Sequence, residues 1–464
     1  MKITSIFLFS IIAFLPLSAQ NYGKGMNFDD NAYKSVERKV TLMSRDYNSL
    51  PSSASLKKYC PTVGLQTGGT CVGWSSTYYA RTIIEAKQNG WTDKATIDAN
   101  TYAPDYTYAI IKNPTDAQCE YGSFIHEAFE LQINKGVPKY KDYNVICATS
   151  IPANIYTLAA KNKIKAFARL FESDEDAPFR LQAMKKALSN GNPVVIGMKC
   201  PDSFSYAKGF WQPAENPEGS FGGHAMCVIG YDDNQYGGAF EIINSWSTQW
   251  GNEGYIWVKY SDFTDFTKYA YEPIAIPKSN PSPTAKADLS GEIRFQSDSD
   301  NDMNATYIKK TGSLGYYKMN EAYSSGTRFR LYISNNEPAF VYAFGSDLTD
   351  EIFTIFPHKE GISAALNYAS NNVALPDESH WIRMNETTGK DYLCVLYSKE
   401  PLDIESIKSQ VGQQSGTFAE KVNKALASKL VVAVNTQYSA NQIQFKAKSA
   451  GKSVVAVVVE TTHN

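Results

Sequence analysis

Three separated stretches carry side chains suited to covalent chemistry. In GGTCVGWSS (68–76), Cys71 sits where a glycine-rich loop gives way to an apolar, helical pattern. Backbone N–H groups at a helix N-terminus favour negative charge and lower a thiol's pKa. A cysteine there is a candidate thiolate as well as a small core-filling side chain. A thiolate nucleophile needs a base, and the histidines are His126, His224, His358, His380 and His463. His126 falls on a predicted helix among polar neighbours, and His358, His380 and His463 lie in the second half of the chain. His224 stands in GGHAMCVIGY, at the start of a buried-strand pattern, behind two glycines that let another segment approach closely. Asn244, in INSWSTQWGNEGY, lies on the return strand of the same predicted hairpin. Its side-chain carbonyl is placed to accept from the imidazole and fix its tautomer, with Trp246 covering that bond from water.

The elements that must hold these residues are legible from periodicity. From Cys71, an apolar face of Val72, Trp74, Ala80, Ile83, Ile84 and Ala86 predicts a helix ending at Asn89-Gly90, with Thr70 as its N-cap. A second helix is predicted from Phe124 to Lys135, capped by Ser123 and stopped by Gly136-Val137-Pro138, and a third from Ala177 to Asn190. Strands are then expected at 193–198, 225–231 and 240–243. Helices first and strands second is an α+β pattern, for which a two-lobed body is a natural outcome.

The proline-rich stretch PKSNPSPT (277–284) is the clearest domain boundary. Beyond it strands dominate, at 293–295, 329–333, 339–344, 392–397 and 453–459, with helical patterns near 403–411 and 417–430. This half reads as a mostly-β, sandwich-like domain with an inserted helical segment. Its tyrosines and phenylalanines are mainly core residues by that reading, with a carbohydrate- or protein-docking face as the alternative.

Bulk properties restrict the partners. Lys+Arg 45 against Asp+Glu 47 gives a formal charge of -2 without a basic cluster, which disfavours nucleic acid. The start, MKITSIFLFSIIAFLPLSAQ, has the charged, apolar and small-residue zones of a secretory signal peptide cleaved near Ala19. Its apolar run is too short to span a bilayer, and no later stretch suggests a membrane helix. Export implies an oxidising compartment, and Cys 7 leaves at least one thiol unpaired within the chain. No metal or other cofactor is expected, because no H-E-x-x-H or C-x-x-C pattern with ligand spacing occurs.

Taken in order, Gly69-Thr70-Cys71-Val72-Gly73-Trp74, Gly223-His224-Ala225-Met226 and Asn244-Ser245-Trp246 with Trp250-Gly251 and Gly254-Tyr255 resemble the motifs of papain-like cysteine peptidases. The resemblance spans about Leu50 to Ile276. It implies a helical lobe carrying the cysteine, a β-rich lobe carrying the histidine, and an active site in the cleft between them. Carried over residue by residue, Cys71 is the nucleophile, His224 the base and then acid, Asn244 the orienter and Trp246 the shield. Gln66 is the oxyanion donor with the Cys71 N–H. Gly122, in Cys119-Glu120-Tyr121-Gly122, corresponds to the glycine along which substrate backbone pairs. Gln66 lies five residues before Cys71, one fewer than in papain itself, and Val72 replaces the usual tryptophan, with Trp74 nearby. Gly68 stands where the family has a cysteine, so Cys119 needs another partner, Cys60 or Cys147, with Cys147 preferred. The stretch before Leu50 is too short for the family's large inhibitory propeptide. The expected organisation is a signal peptide (1–19), a lead-in or short pro-segment (20–49), a peptidase domain (50–276), a linker (277–288) and a β-rich domain resembling those appended to exported bacterial peptidases (289–464). The expected function is an exported endopeptidase acting on proteins or peptides through an acyl-enzyme. The alternatives are an exopeptidase or amidase on the same scaffold, or a peptidase-like binding protein without turnover.

Overall fold

The structure, a computed structural model, describes residues 22–277, 286–347 and 351–464. The signal-peptide segment 1–19 and most of the predicted linker therefore lie outside the described residues. Among the described residues no helix is long and apolar enough to cross a membrane.

The predicted helix after Thr70 is present as three segments run head to tail, Cys71–Gly73, Trp74–Arg81 and Thr82–Asn89, the middle one wound in wider π turns. Gly90, left-handed at φ 68°, ends it and returns its N–H to Ala86 and Lys87. The helix lies against a mixed sheet whose strand order is Ala166–Arg169, Thr267–Ile274, Val194–Lys199, Gly223–Asp232, Ala239–Ile243, Tyr255–Lys259 and Gly209–Trp211. Ser53–Ser55 pairs antiparallel with the far end of Gly223–Asp232. The central strands are buried on both faces, which is why they read as near-continuous apolar runs rather than alternations. One face supplies Val195, Ala225, Cys227, Ile229 and Ile243 to a core shared with Val72, Tyr79 and Ile83 of the helix. Two capping expectations fail. Thr70 occupies the N-cap position, but its hydroxyl donates to the Thr67 carbonyl at 2.9 Å. The second helix, Ile125–Asn134, starts after Phe124 without a side-chain cap, and the Ser123 backbone pairs elsewhere.

The second half is a sandwich. One sheet runs Ala305–Ile308, Tyr316–Tyr323, Val454–His463, Gly389–Ser398, Ala339–Ser346, Ile352–Phe356; the other runs Asn371–Leu375, Arg328–Asn335, Leu289–Ser297, Gln444–Ala447, Thr436–Tyr438. Alternation along the central strands sorts side chains between layers. Val341, Ala343, Val395, Val455 and Val457 point to the facing sheet and meet Ile293, Leu331 and Ile333. Tyr342, Phe344, Cys394, Leu396 and Val458 point the other way, under the helices Ile404–Gly412 and Phe418–Leu426. Phe418–Leu426 opens with a Thr417–Glu420 capping box.

The stretch expected as a lead-in or short pro-segment, 20–49, is built into the fold from Tyr22 onward. Asp29 caps a short helix, Asp30–Ser35, whose Tyr33 is buried. Residues 37–39 then form a stave between the two domains. Arg169 N donates to Glu37 O and Lys39 N to Arg169 O on one side, while Arg38 N donates to Gly361 O and Ser363 N to Arg38 O on the other. Polarity alone hides this, because backbone hydrogen bonds and a buried cation add to the few buried apolar side chains, Tyr33, Val36, Val40 and Leu42. Lys39 Nζ donates to Ala365 O and Asn367 Oδ1 and lies 4.0 Å from Glu272 Oε2. Glu272, wholly buried, also accepts from Asn192 (2.8 Å), Asn367 (2.7 Å) and the Tyr368 hydroxyl (2.5 Å). This cluster joins lead-in, first domain and second domain. Glu272→Ala leaves Lys39 buried without its counter-charge and is expected to cost about 3–5 kcal/mol of unfolding free energy, measured by denaturant titration.

Candidate active site

Cys71 opens its helix at the floor of a cleft whose walls are loops. The loop before it is fixed by Gly69 N donating to Cys119 O at 2.6 Å, and Cys119 is disulfide-bonded to Cys147, the preferred partner. Asp116 shapes the neighbouring turn: its carboxylate accepts from Glu120 N (3.0 Å), Tyr121 N (3.3 Å) and the Tyr108 hydroxyl (2.7 Å). The Tyr108 oxygen in turn accepts from Gly122 N at 3.0 Å. Asp116 and Tyr108 were not singled out from sequence, because nothing local marks a carboxylate that serves a loop.

His224 and Asn244 come from neighbouring strands of the sheet, and His224 Nε2 lies 2.9 Å from Asn244 Oδ1. That oxygen also accepts from Ser245 N at 2.8 Å, which fixes the amide orientation and makes Nε2 the protonated ring nitrogen. Nδ1 is left as a bare acceptor, and it is buried without a hydrogen-bond partner. The Trp246 ring stacks on the imidazole, with centroids 4.5 Å apart. The sulfur of Cys71 accepts from Ala225 N, next to His224, at 3.5 Å. The three far-apart stretches therefore meet.

Gln66 also points into this cleft. Its Oε1 accepts from the Ser245 hydroxyl at 2.6 Å, so Nε2 is turned outward and donates to Gly68 O (2.8 Å) and Gly23 O (3.0 Å). Ser245 is a further residue that sequence reading passed over, although it adjoins Asn244.

The Gly23 carbonyl belongs to a segment not anticipated in the cleft. Tyr22 stacks on Trp246 at 4.8 Å, and Trp246 Nε1 donates to Gly23 O at 3.2 Å. Lys24 Nζ donates to Cys200 O and Asp202. Met26 N donates to Gly223 O (3.1 Å), Ser123 N to Gly25 O (2.9 Å) and Asn27 N to Ser123 O (3.0 Å). The Gly25 N–H is among the backbone groups that pull the Cys71 thiol's pKa down. The approach is close enough to require glycines: a Cβ on Gly25 would stand 2.0 Å from Gly69 O, and one on Gly122, at φ +75°, 2.4 Å from Gly25 O. The alternating Gly23-Lys24-Gly25 was the available sequence signal.

Burial under this segment sets the electrostatics. Cys71 and His224 are both fully buried. Loss of water pushes the thiol up to about 11, against the pull of the Ala225, Gly25 and Val72 N–H groups. It pushes His224 down to about 4, opposed by the bond to Asn244 and assisted by the Lys24 charge. The thiolate expected from the helix terminus is therefore a neutral thiol beside a neutral imidazole.

Residues 109–274, which include His224 and Asn244, match the model of the papain family cysteine proteases. Residues 109–274 are thus similar to a papain-family cysteine protease domain, in a match that begins after Cys71. In its second half, residues 322–401 match a domain of unknown function, DUF4384. An uncharacterized peptidase C1-like protein of Acanthamoeba polyphaga mimivirus is 26% identical over 220 residues, 43% of this chain and 64% of that protein. Cathepsin K of Gallus gallus is 28% identical over 140 residues, 29% of this chain and 39% of its own length. The chain thus spans less than two thirds of the length of either relative. Among solved structures, xylellain, a cysteine protease from Xylella fastidiosa, superposes with a TM-score of 0.44 at 18% identity, covering 54% of this chain and 95% of its own.

Below its pKa a thiol gains about tenfold in thiolate per pH unit. Alkylation of Cys71 by iodoacetamide in the full chain is accordingly expected to be slow at pH 7 and to climb about tenfold per unit towards pH 10. Mass-spectrometric rates that level off near pH 7 would contradict a thiol this deeply buried.

Proposed function

We propose that the protein is an exported cysteine endopeptidase, held latent by residues 22–27, that hydrolyses peptide bonds of proteins or peptides. The observation that carries this reading is the His224–Asn244 bond, which leaves Nδ1 bare on the side of the ring away from Asn244, with the Cys71 sulfur bound to the very next backbone amide.

Once residues 22–27 leave, water reaches the thiol and imidazole, the burial penalty on both charged forms falls, and the proton can pass from sulfur to Nδ1. The thiolate attacks a substrate carbonyl carbon. The oxyanion so formed takes the acceptor site that Gly23 O fills now, 3.0 Å from Gln66 Nε2. His224 then protonates the departing amine as the C–N bond breaks, leaving an acyl group on sulfur. Water, deprotonated by His224, attacks this thioester, releases the acid and restores the thiol. Asn244 holds the ring in the tautomer that both transfers need.

Endopeptidase action is supported by the way the cleft takes a chain. Gly223 O and both backbone groups of Ser123 pair with an extended segment that runs on past Asn27, so the groove does not end at the reacting sulfur. Export is supported by the leader-like composition of residues 1–19 and by the Cys119–Cys147 disulfide, a bond that persists in oxidising compartments.

Turnover of an internally quenched peptide blocked at both ends, assayed after limited proteolysis of the arm, tests the reading. Cys71→Ala is expected to abolish it, and Gln66→Ala to lower kcat by about 10²–10³ with little change in KM. Cleavage confined to substrates with a free terminus would overturn the endopeptidase claim, and binding without hydrolysis under reducing conditions would overturn the enzymatic one.

A further inference from the structure

The two sheets of the second domain leave a space near the end where Val454–His463 finishes. Phe295, Met303, Met319, Phe329, Leu331 and Phe353 line a cavity of about 270 Å³ there, and Arg383, Met384 and Asp391 complete its edge. An apolar hollow with a few convergent polar groups is the usual make-up of a small-molecule site.

The polar edge carries a nucleophile, a base and an acid in contact. Strand alternation takes the inner face of Val454–His463 from Val457 and Val459 through Thr461 to His463. Asp391 pairs with Thr461 across the sheet, so it shares that face one step from His463. His463 is buried, and its Nδ1 lies 3.2 Å from Asp391 Oδ2. The contact is off the hydrogen-bond line, and Nδ1 has no other partner among the described residues. Contacts of this kind tighten once substrate is bound. An ionised carboxylate only accepts, which puts the ring proton on Nδ1 and leaves Nε2 to accept from the Ser325 hydroxyl, 3.1 Å away. Neither ring nitrogen is spent on the backbone.

Ser325 is held at the corner of a tight turn. Thr327 N donates to Ser324 O, Ser325 N to Asn464 O, and Gly326 N to the carbonyl of Met384, a residue of the cavity edge. A Cβ on Gly326, at φ +83°, would stand 3.5 Å from Arg383 Nη2, so this guanidinium lies over the peptide next to Ser325. Its acidic partner, Glu386, is 3.7 Å away, and both side chains are largely exposed. The Arg383 cation is therefore available to a further negative charge.

We propose that Ser325, His463 and Asp391 form a hydrolytic site of the second domain, which cleaves carboxylic esters whose apolar acyl chain enters the cavity. Ser325 Oγ attacks the ester carbonyl carbon as its proton passes to His463 Nε2, and the oxyanion so formed faces Arg383. His463 gives that proton to the departing alkoxide as the C–O bond breaks, leaving the acyl group on Ser325. Water, deprotonated by Nε2, then adds to the acyl-serine, releases the acid and restores the hydroxyl. Asp391 is a positioning residue that holds the ring and offsets the imidazolium charge. The proposal is independent of the peptidase reading.

The test uses the full chain carrying Cys71→Ala, so that no signal comes from the peptidase cleft. Labelling by an alkyl fluorophosphonate, mapped by mass spectrometry, is followed together with hydrolysis of p-nitrophenyl octanoate and acetate and with thermal unfolding. The adduct is expected on Ser325 and is lost in Ser325→Ala. His463→Gln is expected to lower octanoate turnover by about 10²–10⁴. Asp391→Asn is expected to lower kcat at least about tenfold with KM unchanged. Ser325→Ala and Asp391→Asn should unfold within about 5 °C of the parent. Octanoate should exceed acetate in kcat/KM by at least about tenfold, because each buried CH₂ adds to binding. Absence of a Ser325 adduct on the parent chain overturns the proposal without recourse to any variant. An adduct that forms equally fast in His463→Gln does so too, since it marks an exposed hydroxyl without a base. Equal rates on the two esters overturn the assignment of the cavity to the acyl chain.

Discussion

A single buried contact, the bond from His224 Nε2 to Asn244 Oδ1, organises the site. An imidazole with no water around it must have its donor satisfied, and Asn244, itself fixed by the Ser245 N–H, supplies the acceptor. With that proton committed, the other nitrogen is compelled to be the acceptor, and the chemistry open to the neighbouring sulfur follows. The sheet exists around this requirement: Gly223–Asp232 and Ala239–Ile243 pair so that both side chains emerge at the same end, where the Cys71 helix begins. Trp246 closes the contact from one side, and stacking on the ring keeps water from competing for Oδ1.

The same dryness controls the protonation states. A helix terminus lowers a thiol's pKa by a local field, whereas burial raises it by withholding hydration. In this chain burial prevails, because residues 22–27 fill the space that water or substrate would take. The segment imitates an occupant of the cleft down to a carbonyl on Gln66 and backbone bonds to Gly223 and Ser123. In the proposed peptidase, latency is thus a property of solvent exclusion and needs no distortion of the site.

The second domain acquires a physical role from the arm. Apolar side chains of both domains share common clusters, and Glu272 of the first domain is satisfied by Asn367 and Tyr368 of the second and faces Lys39 of the arm. A buried charge cluster of this kind tolerates little sliding, since any separation would strand a carboxylate or an ammonium group. The two domains and the arm are therefore held in register by this buried charge cluster together with the apolar contacts that run between them.

By itself the amino-acid sequence determined what depends on local chemistry and period. Cys71 at a loop-to-helix junction, His224 and Asn244 on successive strands, the shield at Trp246, the helices near 71–89, 125–134 and 177–189, and the sandwich after residue 289 were all legible there, because periodicity and residue type express which face is buried. Gln66 was legible as a candidate, though its hold on Ser245 was not. Tertiary structure alone decided the rest. Residues 22–49 carry no strong hydrophobic period, and their order comes from backbone pairing with distant segments together with the scattered buried side chains Met26, Tyr33, Val36, Val40 and Leu42. Thr70 and Ser123 have capping residue types, but the Thr70 hydroxyl goes to Thr67 O and the Ser123 hydroxyl caps nothing. The state of the thiol, above all, is set by whether water reaches it, and only the path of the arm through the cleft determines that.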